Sequence, residues 1–177
     1  MRMMKLALVA MAALLIGSAS AHAITVKKRT EAPGLPAAVW GLAGAFCAIK
    51  DWYPDVVADC VEAKEGDADV RTLTLKDGGK IKEKLTAKDD LSYSYEIVES
   101  PLPVKNYKAK LWVELDDEPN RTVIYWQADF DANGASDEEA KKKITTILGD
   151  GVKGIKKMAL AHSDAQEGHK DDDDKDK

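Results

Sequence analysis

Apolar and polar side chains alternate weakly over residues 24–30, which predicts a first strand, and the Gly- and Pro-containing stretch "EAPGLP" (residues 31–36) then leads into a helix. Pro36 suits the first turn of that helix, and Val39, Ala43 and Phe46 recur on one helical face. A second short helix or turn carries Ile49 and Trp52 and stops near Pro54. From Val57 the period falls to two. Residues 57–64, 70–76, 80–88, 91–100, 106–115 and 122–131 all read as strands, several of them parted by Gly, Asp or Asn turns. The sharpest turn signal is "KDGGK", residues 76–80.

The period then returns to helical. Ser136 and Glu139 form an S-x-x-E capping box, and Ala140, Ile144, Ile147, Leu148, Val152, Ile155 and Met158 trace one apolar stripe. Gly149, Gly151 and Gly154 weaken this helix by roughly 1 kcal/mol each relative to alanine. Such small residues let a helix lie close to a sheet, or leave room beside it for something bound. Strand, two short helices, six strands and a long helix pack most economically as a meandering sheet wrapped around the one amphipathic helix, an α+β architecture.

The termini change the picture. Arg2 and Lys5 precede an apolar run, Leu6 to Ile16, followed by "SASAHA". This is the pattern of a secretory signal peptide, residues 1–23, with Ala21 and Ala23 at the −3 and −1 positions of a cut before Ile24. The run is short of the ~20 apolar residues a spanning helix needs, and no later segment approaches that length, so no membrane span is expected in the mature protein. The expected location is outside the cytoplasm, periplasmic in a Gram-negative source. Without residues 1–23 the chain carries 24 basic and 31 acidic groups, a net charge of −7 that argues against a nucleic-acid partner. Residues 24–160 suit one domain, and residues 161–177, ending in "HKDDDDKDK", are read as a disordered acidic tail with no spaced ligand set for a metal.

The order of elements, with "AVWGLAGAFCAIKDWYPDVVADC", "RTLTLKDGGKIKEKL", "SYSYEIVESPLPVKNYKAKLWV" and "TVIYWQADFDANGASDEEA", resembles the SRPBCC, or START-like, helix-grip superfamily. The nearer likeness is to its secreted, polyketide cyclase-like bacterial members, which include the MxaD-like proteins. The resemblance implies a helix-grip fold, a curved antiparallel sheet of about seven strands around a long C-terminal helix, holding a small, largely apolar molecule between sheet and helix. On the helix, Ile144 and Leu148 would face that molecule. It also implies an alternative, an accessory protein for a periplasmic, methanol-type dehydrogenase, and a third reading, a polyketide cyclase-like enzyme. Fold alone does not choose among these.

Alternation gives the side chains that face the proposed cavity. Ile81, Glu83 and Leu85 share one face of their strand; Tyr107, Ala109, Leu111 and Val113 share a face of theirs; Ile124, Trp126, Ala128 and Phe130 lie together on a third. Glu83 and Tyr107 match the "ERL" and "NYK" positions at which the abscisic acid receptors of this superfamily make polar ligand contacts, whereas the receptors' serine is Ala109 here. Glu83 is read as the one charged residue turned inward, its carboxylate bonded to water, to Tyr107 or to ligand. The loops around Gly78 and Gly79 and around Pro101 and Pro103 resemble the two gates at the cavity mouth. The plain alternative is two hairpin connections, with Glu83 at a frayed strand edge bonded to water and Tyr107 and Trp126 as ordinary core.

The reactive inventory is small. The three histidines are His22, His162 and His169, so a histidine-based triad or metal site has no place between Ile24 and Leu160. No cofactor, metal site or catalytic residue is assigned, and the residues favour binding over catalysis. Cys47 and Cys60, thirteen apart, are too far separated for a CxxC redox pair. Export to an oxidising compartment favours a structural disulfide between them; two buried free thiols are the alternative.

Overall fold

The computed structural model describes residues 23–173, with side chains through residue 165. All but the last residue of the signal peptide read from the sequence lies outside the described residues. Seven strands, β1 (Ile24–Pro33), β2 (Val57–Glu65), β3 (Ala68–Leu75), β4 (Lys80–Asp89), β5 (Ser92–Glu99), β6 (Val104–Leu115) and β7 (Arg121–Ala132), form one sheet in the order β1-β7-β6-β5-β4-β3-β2. Every pairing is antiparallel. Two short helices, α1 (Pro36–Ala43) and α2 (Ile49–Trp52), follow β1, and the long helix α3 (Asp137–Asp173) closes the chain. This is the α+β helix-grip architecture. α3 is continuous across residue 160, the boundary drawn between domain and tail.

The strands are where period two places them, with informative differences at two ends. β1 runs on to Pro33, which pairs with Arg121, rather than yielding to a loop at Glu31. An edge strand tolerates a proline because one side of it needs no ladder donor. β6 begins at Val104, two residues before the alternation starts, because a bulge between Lys105 and Lys108 inserts one residue opposite β7. Asn106 takes φ +53° there, and its side-chain amide donates to Asp131 Oδ2 at 2.7 Å. Asparagine is among the few side chains that accept a left-handed backbone readily. The bulge rephases the strand, so Val104 and Tyr107 are both buried although three residues apart.

Further register shifts between β2 and β3 and between β4 and β5 bend the sheet. α3 packs on β1 and β7 and against α1 and α2. Its stripe, Ala140, Ile144, Leu148, Val152 and Ile155, is almost fully buried. Gly151 and Gly154 show why this helix carries glycine: a Cβ at Gly151 would overlap the Trp126 ring, and one at Gly154 would overlap the backbone carbonyl of Trp52. At its start the capping box is formed, Glu139 N–H donating to Ser136 Oγ at 3.3 Å and Ser136 N–H to Glu139 Oε2 at 3.0 Å.

Cys47 and Cys60 are joined, with Cα atoms 5.5 Å apart. The bond ties the turn between α1 and α2 to β2, the outermost strand on that side of the sheet.

Candidate functional site

Because α3 leans on the β1 and β7 side of the sheet, the curled β3–β5 side keeps a space beneath it. A cavity of about 400 Å³ fills this space, at the small end of the ~300–1,000 Å³ range of ligand pockets. Its wall is built from every layer: Ile49 of α2, Val57 of β2, Leu73 and Leu75 of β3, Ile81 and Glu83 of β4, Tyr95 and Ile97 of β5, Tyr107 of β6, Trp126 of β7, and Ile144 and Ile147 of α3. The rim is charged, carrying Asp55, Lys76, Asp77, Lys143 and Asp150. A larger depression of about 950 Å³ lies at the β6 bulge, but charged and polar groups such as Glu96, Glu99, Lys105 and Asp131 make up most of its wall. The smaller cavity is the more apolar of the two.

Of the sequence-derived contacts, Glu83, Tyr107, Trp126 and Ile144 meet on this cavity wall. Ala109 and Leu148 are buried but do not line it. Leu148 lies one turn beyond Ile144, and Ala109 lies in register between Tyr95 and Ala128. Gly78, Gly79, Pro101 and Pro103 are also absent from the wall, yet their neighbours Asp77 and Leu102 are on it. The two loops do approach each other: a Cβ on Gly79 would sit 3.5 Å from Pro101 Cγ. Gly78 is at φ +87°, a left-handed conformation that glycine adopts without strain, and Gly79 N–H donates to Asp77 Oδ1 at 2.9 Å.

Glu83 is not the one inward charge. Arg71, fully buried on β3, stands directly opposite it in register, and Arg71 Nε donates to Glu83 Oε2 at 2.5 Å. The partner expected for Glu83 was water, Tyr107 or ligand; it is this guanidinium. The signal was present in "VRTLTL", where Arg71 shares a strand face with Leu73 and Leu75. Arg71 Nη1 also donates to the backbone carbonyl of Phe46, and its guanidinium carbon lies 4.1 Å from the Phe46 ring centroid and 5.1 Å from that of Tyr95. Among the described residues, the buried Nη2 has no hydrogen-bond partner. Burial works against the arginine's charge, but Glu83 together with Tyr93 and Tyr95 more than offsets it and holds the group above its ordinary pKa. Burial likewise raises the Glu83 carboxyl, and Arg71 opposes that rise without cancelling it.

The polar groups continue across the cavity floor. Trp126 Nε1 donates to the Tyr95 hydroxyl at 3.1 Å, and the Tyr107 ring lies beside that of Tyr95 with centroids 6.2 Å apart. Burial, with Glu83 nearby, pushes the Tyr107 hydroxyl well above the ordinary tyrosine value, so it is a proton donor throughout the physiological range. At the rim, burial and then Asp150 and Asp55 push Tyr53 up to about 12. Trp126 also packs edge-on against Trp52, with ring centroids 5.4 Å apart, so it serves core and cavity together.

A curved seven-stranded sheet gripping one helix over an apolar cavity with a buried polar floor defines a ligand-binding class of domain. The family described as polyketide cyclase / dehydrase and lipid transport matches residues 23–159, and the chain belongs to it and to the SRPBCC superfamily. Among solved structures, the protein XoxI from Bacillus cereus is 31% identical, with 77% of this chain and 95% of that one covered at a TM-score of 0.71. A protein from Bacillus thuringiensis is also 31% identical, covering 77% and 99% at a TM-score of 0.72. The Zhui aromatase/cyclase from Streptomyces sp. R1128 shares the fold at 14% identity and a TM-score of 0.63, over 78% of this chain and 94% of that one. No curated protein matches the chain.

Proposed function

We propose that the protein is an exported carrier or receptor that holds one small, largely apolar molecule between sheet and α3. The observation that carries this reading is the apolar cavity of about 400 Å³ with Glu83 and Tyr107 at its floor. The disulfide supports an oxidising compartment, which the periplasm would supply. Gly78 and Gly79 on one lip and Pro101 and Pro103 on the other would serve as a flexible and a stiff gate. The test is native mass spectrometry of protein purified from its own source, looking for a co-purifying small molecule. Ile147→Trp, which places an indole at the half-buried inner edge of the helix, should abolish its retention. A wild-type protein that carries nothing and takes up no apolar probe would refute the reading.

A second reading, docking onto a periplasmic dehydrogenase, draws on the outer face of the sheet. Trp112 and Tyr125 stack there with centroids 4.9 Å apart, and Lys27 lies 4.5 Å from the Tyr125 ring. Charge reversal at outward Lys108 and Lys110 should then weaken pull-down of the dehydrogenase in a salt-dependent way, while leaving ligand retention intact.

A further inference from the structure

The hydrogen-bond bookkeeping of the cavity floor narrows the ligand's chemistry. An indole N–H can only donate, so Tyr95 accepts from Trp126. Tyr95 and Tyr107 lie side by side on the cavity wall, with ring centroids 6.2 Å apart, and the Tyr107 hydroxyl keeps its proton for whatever lies in the cavity. On the facing wall, Glu83 accepts from Arg71 through Oε2, which leaves Oε1 over. One donor and one acceptor therefore share the wall of a cavity whose apolar lining includes Leu73, Ile81, Ile97 and Ile144 and whose rim is charged.

We propose that the ligand presents an uncharged hydroxyl, as an apolar alcohol or phenol, which accepts from Tyr107 and donates to Glu83 Oε1. This inference rests on the binding reading above. A hydroxyl satisfies both groups at once. A carboxylate would meet Tyr107 but would set a second negative charge beside Glu83 in a largely apolar site, which is costly. An ammonium would meet Glu83 but would crowd the Arg71 charge and leave the Tyr107 donor unmet. A bare hydrocarbon leaves both groups unsatisfied.

Three probes of one shape separate these cases at neutral pH: 2-naphthol, 2-methylnaphthalene and 2-naphthoate, each titrated calorimetrically into the full mature chain. The naphthol should bind about tenfold or more tightly than the methyl compound, the effect of one or two net hydrogen bonds, and the naphthoate should bind least. Tyr107→Phe should reduce the naphthol's advantage over the methyl compound severalfold. Glu83→Gln should do the same, and where loss of the Arg71 partner prevents that variant from folding, Tyr107→Phe decides. Equal binding of naphthol and methylnaphthalene, or tightest binding of naphthoate, overturns the hydroxyl assignment while the binding reading stands. Should none of the three bind and no small molecule co-purify, the binding reading fails with it.

Discussion

At the scale of single residues the molecule is organised around one buried ion pair. Arg71 and Glu83 lie opposite each other on β3 and β4, and both are nearly inaccessible. Such pairs add little net stability, because desolvation consumes most of the Coulomb gain, but removing one partner strands a buried charge. Arg71→Met should therefore destabilise the protein by about 3–5 kcal/mol, measured by urea unfolding. Adding Glu83→Leu to that variant should recover much of the loss, since an apolar pair of similar size removes the stranded carboxylate. A double variant no more stable than the single one would mean that Arg71 acts through Phe46 and the aromatic rings rather than through Glu83. Arg71 was legible in part: alternation alone puts it beside Leu73 and Leu75. Its pairing with Glu83 depends on cross-strand register, which no single strand encodes.

At the scale of elements, α3 couples two local devices to its packing. Its glycines act against helix propensity, yet Gly154→Ala should not stabilise it. The gain of roughly 1 kcal/mol in propensity is outweighed because the new methyl meets the carbonyl of Trp52, a backbone atom that cannot swing aside. Overpacking of this kind costs typically 1–3 kcal/mol or more, so a net loss is expected in chemical denaturation. The capping box gives a pH signature. The backbone N–H of Ser136, then its hydroxyl, hold Glu139 below its ordinary value of 4.5. The folded state thus binds that proton less tightly than the unfolded state. Its contribution is fully present above pH 4.5 and is lost as the pH falls through the lower folded value. Comparing wild type with Glu139→Gln, the stability difference should shrink on acidification from about pH 6 to pH 3; a difference independent of pH would assign the cap no electrostatic share.

At the scale of the whole molecule, the sheet has two open edges, and the Cys47–Cys60 bond fastens one of them, β2, to the turn before α2. That turn also carries Phe46, whose carbonyl receives Arg71. A closed loop of this size contributes on the order of 3 kcal/mol in the chain-entropy model. Cys47→Ser with Cys60→Ser should lower unfolding stability by about that amount, and thiol counting on the exported protein under denaturing, non-reducing conditions should find no free thiol. The same turn links the staple to the cavity floor through Phe46, Arg71 and Glu83. Reduction should therefore loosen ligand retention as well as stability, a change that apolar-probe titration with and without reductant would detect.

What the sequence by itself determined is local. Strand faces follow from period two, which is why Ile81 with Glu83 and Tyr107 with Leu111 are correctly paired on inward faces. The α3 stripe and its capping box follow from helical spacing, and the order of elements is sufficient for the fold. The tertiary structure decided where the space lies. α3 rests on β1 and β7, so Ile144 meets the cavity while Leu148 packs away from its wall, a distinction that one shared helical stripe cannot express. It also decided that Gly151 and Gly154 serve close packing on Trp126 and Trp52, and that the inward carboxylate faces a guanidinium. Periodicity reports which side of an element is apolar. Register between strands, and the side of the sheet on which a helix settles, are set by the sum of many weak contacts across the chain.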